Sequence, residues 1–547
     1  MDKEIRRQRL TDIYIKNRIL LTTFLINLIV FVLLILLFCP RFESELDITM
    51  QTLLYGGNGT YSSHLLFSNI IIGKILSTCM KIIPFIPWYI VFHYLMTFVS
   101  LMGITFITLK RNDSKTGYII AVCMLFFIGY ECYICPNYMK TAVLLAATGI
   151  YISYYCIEEN TKYLTIIAAF FLLVSSFICF KIFLFTVCLG SAGIAVVYAK
   201  ENSVWQWVKK KSVIFIGVFV IAVAANVFDV WFYSSNIQWE NIGRSREYYQ
   251  KILGFGVPDY TDEIQKKISI DQRDYSLLTS DILVSSRVDV DSFVVDISSE
   301  IKEISGHTII TFFRSIPLQL FKTGMFYCWL ILLFLYIGSE AKRKWIIFGV
   351  SIGQVLLGYL FLYIWNADTY TWINTVILLP ACVFAVNGLQ NLSGIRVKEA
   401  CIYAGVMSIV LYSIFSSSLN KTVRDGTELN QWTGELKTNK DAFYIVDINK
   451  VLSQYSVFAV YPKDIAQISN LCILNGIYKE IYGFENTTEM NKLENDCETF
   501  YIILSESSDV DRTVTNLSSD YIKKEMGYFR LQNAYNVTEY QTYMVQQ

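Results

Sequence analysis

The chain has 547 residues, with 46 Lys plus Arg balanced by 46 Asp plus Glu, 54% hydrophobic residues and 17% charged ones. That is too apolar for an ordinary soluble enzyme, and the absence of a basic excess argues against nucleic acid as a partner. A mean hydropathy of +0.43 leaves room for water-exposed pieces beside a bundle of spans.

A spanning helix needs about 20 apolar residues. The first candidate runs from Arg18 to Cys39 without a small-residue cleavage site, so it reads as a retained anchor rather than a removable signal. Further apolar segments lie near 88–109, 117–134, 137–157, 162–180, 182–199, 212–233, 307–338, 344–365, 370–391 and 399–417. The expectation is a mainly α membrane protein with about eleven transmembrane helices. Lys3, Arg6, Arg7, Arg9, Lys16 and Arg18 put the N-terminus in the cytoplasm. Counting spans from there places Lys110, Arg111 and Lys115, Lys209 to Lys211, Lys342 to Lys344, and Arg396 with Lys398 on the same side.

The loops 40–87 and 234–306 and the tail 420–547 then lie outside, so residues 1–419 form the membrane domain and the C-terminus is extracytoplasmic. Short β-rich runs at Ala442–Asp447, Val457–Tyr461 and Thr499–Leu504, alternating with polar stretches, predict a small α/β domain in the tail. Most of the 13 Cys sit in apolar runs and read as small hydrophobes, and Cys132 with Cys135 has no second ligand pair at metal spacing.

Chemistry is expected on the outer face. The loop after the first span carries Glu43, Glu45 and Asp47 within five residues. A carboxylate there can serve as general base toward a hydroxyl, and two carboxylates spaced by one residue can share a divalent cation, Mg or Mn, with a phosphate. The stretch from Leu65 to Ile86 is apolar but broken by Lys74, Lys81 and Pro84, which predicts interfacial helices lying on the membrane surface. His64 and His307 fall at the outer surface and can hydrogen-bond a phosphate or polarise a hydroxyl. Trp239 beside Arg244 and Arg246 supplies a stacking surface and phosphate-pairing charge in the second loop.

These features together resemble the GT-C superfamily of membrane glycosyltransferases. More narrowly, Asp47, Met50, Gly56, His64 with Leu65 and Phe67, and Pro87-Trp88-Tyr89 resemble the first-loop pattern of bacterial GT-C-like proteins, and Arg244 to Tyr249 followed by Gly254 to Tyr260 resembles their second loop. Leu46 stands where that pattern has a paired Asp, so the acidic pair here is Glu45 and Asp47. The resemblance implies a plasma-membrane enzyme that takes a sugar from a polyprenyl-phosphate donor and passes it, with inversion, to a cell-surface glycan, lipid or protein. Asp47 is then the base, Glu45 assists or binds metal, and Glu43 lies in the substrate region. Lys181, Arg314 and Lys322 are the cations near the lipid phosphate, where charge develops with little water to stabilise it. Two other classes remain open: a transporter or flippase of lipid-linked saccharide, and a non-enzymatic surface assembly or receptor protein working through its tail.

Overall fold

The computed structural model describes residues 2–57, 60–159, 161–198, 202–235, 239–240, 260–262, 265–266, 272, 275, 316, 320–338, 344–364, 371–386, 434, 442–446, 452–453, 455–460, 471–473, 499–505 and 540–546. Its helices are α1 (Asp2–Leu37), α2 (Glu45–Leu54), α3 (Ile70–Ile82), α4 (Trp88–Arg111), α5 (Lys115–Gly129), α6 (Tyr138–Glu159), α7 (Lys162–Ile178), α8 (Phe180–Tyr198), α9 (Asn202–Ser234), α10 (Gly324–Gly338), α11 (Lys344–Ile364) and α12 (Thr371–Val386). A five-residue π-helical turn, Tyr130–Ile134, continues α5.

Six of these segments are long and apolar enough to cross a membrane: Arg18–Leu37, Trp88–Arg111, Gly117–Ile134, Tyr138–Ile157, Phe180–Val197 and Lys211–Ser234. Shorter apolar helices cover Lys162–Ile178, Gly324–Leu335, Trp345–Phe361 and Ile373–Val386. The surface agrees with a membrane setting. Leu25, Ile29 and Leu36 on α1, Ile166 and Phe170 on α7, and Ile216, Val220 and Trp231 on α9 are exposed large apolar side chains. In water such continuous apolar flanks drive association, whereas against hydrocarbon they are the natural boundary of a helical bundle. This is a mainly helical membrane protein.

The long run from 162 to 199 divides at Cys179, whose backbone is extended between α7 and α8. The expected span at 399–417 lies outside the described residues. The centre of the bundle is α6, 94% buried over its spanning window and packed against α4, α7, α8 and α12. Close approach to α7 depends on Gly149, where a Cβ would come within 2.8 Å of the Leu172 side chain and 3.0 Å of the Ala168 carbonyl oxygen. On the other flank, α1 meets α4 and the π-helical turn through an aromatic seam in which Phe31 lies edge-on to Tyr94 and Tyr133, at 5.8 and 4.8 Å between ring centres.

Two elements in the first loop differ from the expected acidic loop and surface helices. The acidic run is a helix, because Ser44 caps α2 by accepting the Leu46 N–H, and every residue of α2 from Leu46 to Leu54 is buried. The following apolar stretch holds one helix, α3, capped by Asn69 through the Ile71 N–H. Ile70, Ile72, Gly73, Leu76 and Met80 of α3 face inward while Ile75, Ile82 and Lys74 face out.

In the tail, β1 (Ala442–Val446), β2 (Leu471–Ile473), β3 (Thr499–Ser505) and β4 (Tyr540–Gln546) form one sheet in the order β2-β1-β3-β4. β1 runs parallel to β2 and β3, which requires crossover connections, and β4 pairs antiparallel to β3. The run Val457–Tyr461, expected as a strand, is instead a turn at 457–458 and irregular at 459–460, its described residues. It departs from the sheet because it docks on the membrane domain: Leu452, Tyr455, Val457 and Ala459 are buried in the main core, and the Val457 N–H donates to the Pro40 carbonyl at 3.4 Å.

Candidate functional site

Asp47 lies in the first turn of α2 and is 1% exposed. α4 and α6 converge on it. The Tyr89 hydroxyl, from the first turn of α4, donates to Asp47 Oδ1 at 2.8 Å, and the backbone N–H of Tyr138, the first residue of α6, donates to the same oxygen at 2.9 Å. Asp47 Oδ2 is buried and has no hydrogen-bond partner in the protein. Burial pushes the carboxyl up to about 7, the Tyr89 and Tyr138 donors pull it back, and the Glu43 charge raises it further against the opposing pull of Lys140. The result is a carboxyl that changes charge near neutral pH with one oxygen free to take a proton.

Beside it lies a charge cluster built around Lys140, whose side chain is fully buried. Its ammonium is 2.6 Å from Glu43 Oε2 and 2.9 Å from Glu131 Oε2, and donates to the carbonyls of Glu131 and Cys135 at 3.1 and 3.3 Å. Glu131 reaches further. Its Oε1 accepts the Gly324 N–H at 2.9 Å, and its Oε2 the Thr375 hydroxyl at 3.2 Å, tying the π-helical turn to α10 and α12. The turn itself serves this arrangement, since an i+5 step reorients one residue inside an otherwise regular span. Neither Glu131 nor Lys140 stands out as a loop residue in the sequence, yet both interrupt apolar runs. An ionisable group inside a span carries a functional or strongly paired role, and that signal identifies them.

The remaining candidates divide. Glu43 joins Asp47 through its charge and Lys140 directly. Glu45 is the first residue of α2, with a side chain outside the described part. His64 stacks on Trp239 with 4.0 Å between ring centres and 7° between planes, and lies edge-on to Tyr233 at 5.1 Å. Burial, with a smaller contribution from the Lys74 charge, lowers His64 to about 4, so it is neutral at pH 7 and can offer a hydrogen bond but not a positive charge. The loop bearing it is pinned to α9: the Tyr233 hydroxyl accepts from Leu66 N–H, and Asp229 Oδ1 from Ile70 N–H, at 2.8 and 2.7 Å. Leu66 adopts φ 62, and the bond from its N–H helps hold that strained turn.

Lys181, in the first turn of α8, and Lys322, in the turn before α10, are exposed. Arg244, Arg246, His307 and Arg314 lie outside the described residues. His93 is buried in α4, with Nδ1 3.0 Å from the Thr141 hydroxyl, a hydrogen-bonded packing residue next to Tyr89.

The expected metal pair, Glu45 with Asp47, falls partly outside the described residues, because the Glu45 side chain is not among them. Among the described carboxylates, Glu43 and Glu131 each place an oxygen on the Lys140 ammonium, and Asp47 Oδ1 accepts from two donors. Among the described residues no group of three His, Cys, Asp or Glu is placed to hold a metal.

The tail completes the wall of this region. Gln51, one turn beyond Asp47, donates from Nε2 to the Ala459 carbonyl at 3.1 Å, and Phe458 lies edge-on to Tyr94 of α4. No family model and no curated protein matches the chain.

Proposed function

We propose that the chain is a membrane glycosyltransferase of GT-C type that moves a sugar from a polyprenyl-phosphate carrier to a cell-surface acceptor. The arrangement is about eleven spans with the N-terminus inside and the catalytic loop and tail outside the plasma membrane. The observation that carries it is Asp47: a buried carboxyl raised to about 7, fixed through one oxygen and without a hydrogen-bond partner in the protein at the other. A general base is most effective with such a value, and fixing Oδ1 orients Oδ2 for a single incoming proton. In the proposed reaction the acceptor hydroxyl oxygen attacks the anomeric carbon, the bond from that carbon to the phosphate oxygen breaks, and polyprenyl phosphate leaves. The hydroxyl proton passes to Asp47 Oδ2. Attack opposite the leaving group inverts the anomeric centre.

A buried ion cluster within the spans favours one other class, a transporter of lipid-linked saccharide, since such clusters also line translocation paths. Right-side-out vesicles carrying the protein, supplied with labelled polyprenyl-phosphate sugars, separate the two. Transfer predicts label on an acceptor together with released polyprenyl phosphate. Label that crosses the bilayer with its sugar–phosphate bond intact supports transport and contradicts the transferase.

A further inference from the structure

Three buried polar atoms around Asp47 have no partner in the protein: Asp47 Oδ2, Gln51 Oε1 and Asn137 Nδ2. Their residues are 1%, 0% and 2% exposed. Asp47 and Gln51 sit one turn apart on the same face of α2. Asn137 immediately precedes Tyr138, whose N–H binds Asp47 Oδ1, so all three residues meet where α2 abuts the start of α6.

The orientation of each amide is fixed from its other end. Gln51 spends its Nε2 on the Ala459 carbonyl, which leaves Oε1. Asn137 spends its Oδ1 on the Met139 N–H, at 2.8 Å, which leaves Nδ2. Each buried group left unsatisfied costs about 1–3 kcal/mol. Three such groups on neighbouring residues call for partners from outside the chain, an ordered water or the hydroxyls of a bound molecule.

We propose that Asp47 Oδ2, Gln51 Oε1 and Asn137 Nδ2 form the acceptor subsite, receiving two neighbouring hydroxyls of a sugar; this rests on the transferase reading above and names its acceptor class. The set contains two acceptors and one donor. A hydroxyl gives a proton and takes one, so two of them satisfy all three atoms, one donating to Asp47 Oδ2 and the other donating to Gln51 Oε1 while its oxygen accepts from Asn137. A phosphodiester only accepts and fails at two of the three positions, and inorganic phosphate, which keeps a hydroxyl at neutral pH, brings its negative charge against the Asp47 carboxylate. An ammonium fails at Asn137 and is repelled by Lys140 next to Glu131. Access requires the tail segment 455–460 to move, because Ala459 closes over Gln51 and the three atoms are cut off from solvent.

The test uses the purified full-length protein with methyl hexopyranosides and, separately, inorganic phosphate as probes, read by ligand-induced thermal shift and by acceptor KM in the transfer reaction. Gln51→Leu removes one acceptor together with the donor to the Ala459 carbonyl, so Gln51→Glu, which keeps an acceptor oxygen and gives up that donor, is its control, and Asn137→Asp keeps the Oδ1 cap of α6 while replacing the donor. Saturable glycoside binding to the native protein, weakened about tenfold or more in Gln51→Leu and Asn137→Asp but not in Gln51→Glu, with no response to phosphate, is expected; a tenfold change corresponds to one lost hydrogen bond. Acceptor KM should rise in parallel while donor KM stays constant. Equal glycoside affinity and equal acceptor KM in native and variant proteins overturn the subsite and leave the transferase standing. Glycoside binding lost in the variants of a protein that transfers no sugar keeps the sugar subsite and removes the transferase. Phosphate binding as tight as glycoside binding overturns the assignment of chemical class.

Discussion

Replacing Lys140 by Met is expected to destabilise the protein by about 3–5 kcal/mol, because it leaves the buried Glu131 carboxylate, and the partly buried Glu43 beside it, without the Lys140 counter-charge. Lys140 is the ammonium shared by Glu43 and Glu131, and Glu131 also receives donors from α10 and α12. Loss of the lysine therefore strains the joint between the π-helical turn and two other helices, beyond the loss of one ion pair. Adding Glu131→Gln should restore much of the stability, since Gln keeps one oxygen for the Gly324 N–H, turns its amide N–H toward the Thr375 hydroxyl, which can accept, and sheds the charge. Lys140→Arg is not conservative here: a planar fork does not reproduce a compact ammonium held by two carboxylates and two carbonyls. Thermal unfolding of the single and double variants in detergent checks this. A single variant as stable as the native protein, or a double variant no better than the single, contradicts the cluster as a structural keystone.

The second large effect concerns pH. Asp47 is raised in the folded protein to about 7 from an ordinary value of 3.8, so the folded state binds the proton more tightly than the unfolded chain. Stability attributable to this group is therefore greatest below pH 4, declines as pH rises through 4 to 7, and is lost above 7. The full difference is about 4 kcal/mol, taking about 1.4 kcal/mol for each unit. Asp47→Asn keeps an oxygen for Tyr89 and Tyr138 without the charge, so its melting temperature relative to the native protein should rise between pH 4 and pH 8. Other titrating groups are common to both proteins and cancel in the difference. A relative melting temperature independent of pH contradicts the raised carboxyl.

Much of the helical framework is legible in the sequence, because long apolar runs announce spans regardless of what packs on them, and the apolar segments of the first 234 residues match α1 and α4 to α9 closely. The acidic loop is different. Ser44 followed by an acidic first turn is a helix-start signal, but the three carboxylates suggest a solvated loop, and only the packing of α4 and α6 explains why Asp47 is buried. Glu131 and Lys140 carry a visible sequence signal, charge inside a span, although their partnership through a π-helical turn does not show in the spacing. Least legible is the turn at 455–460. Its β-rich residues are the same ones a strand would use, and its docking joins Gln51 to Ala459 across most of the chain, a contact with no local signature. Of the unpartnered atoms of the candidate subsite, Gln51 Oε1 is set by that distant contact, whereas Asn137 Nδ2 is set locally by the bond from the Met139 N–H to Asn137 Oδ1.

Asp47 as the base is tested most directly by sugar transfer at pH 8 from labelled polyprenyl-phosphate donors, in membranes holding native protein or Asp47→Asn at matched abundance. At this pH the native carboxyl is mostly ionised and the Asn variant has nothing to accept the proton. A fall of about 100- to 10,000-fold in transfer is expected, the range attached to a positioned general base, with the variant still folded by its melting curve. Transfer by the variant at the native rate contradicts Asp47 as the base.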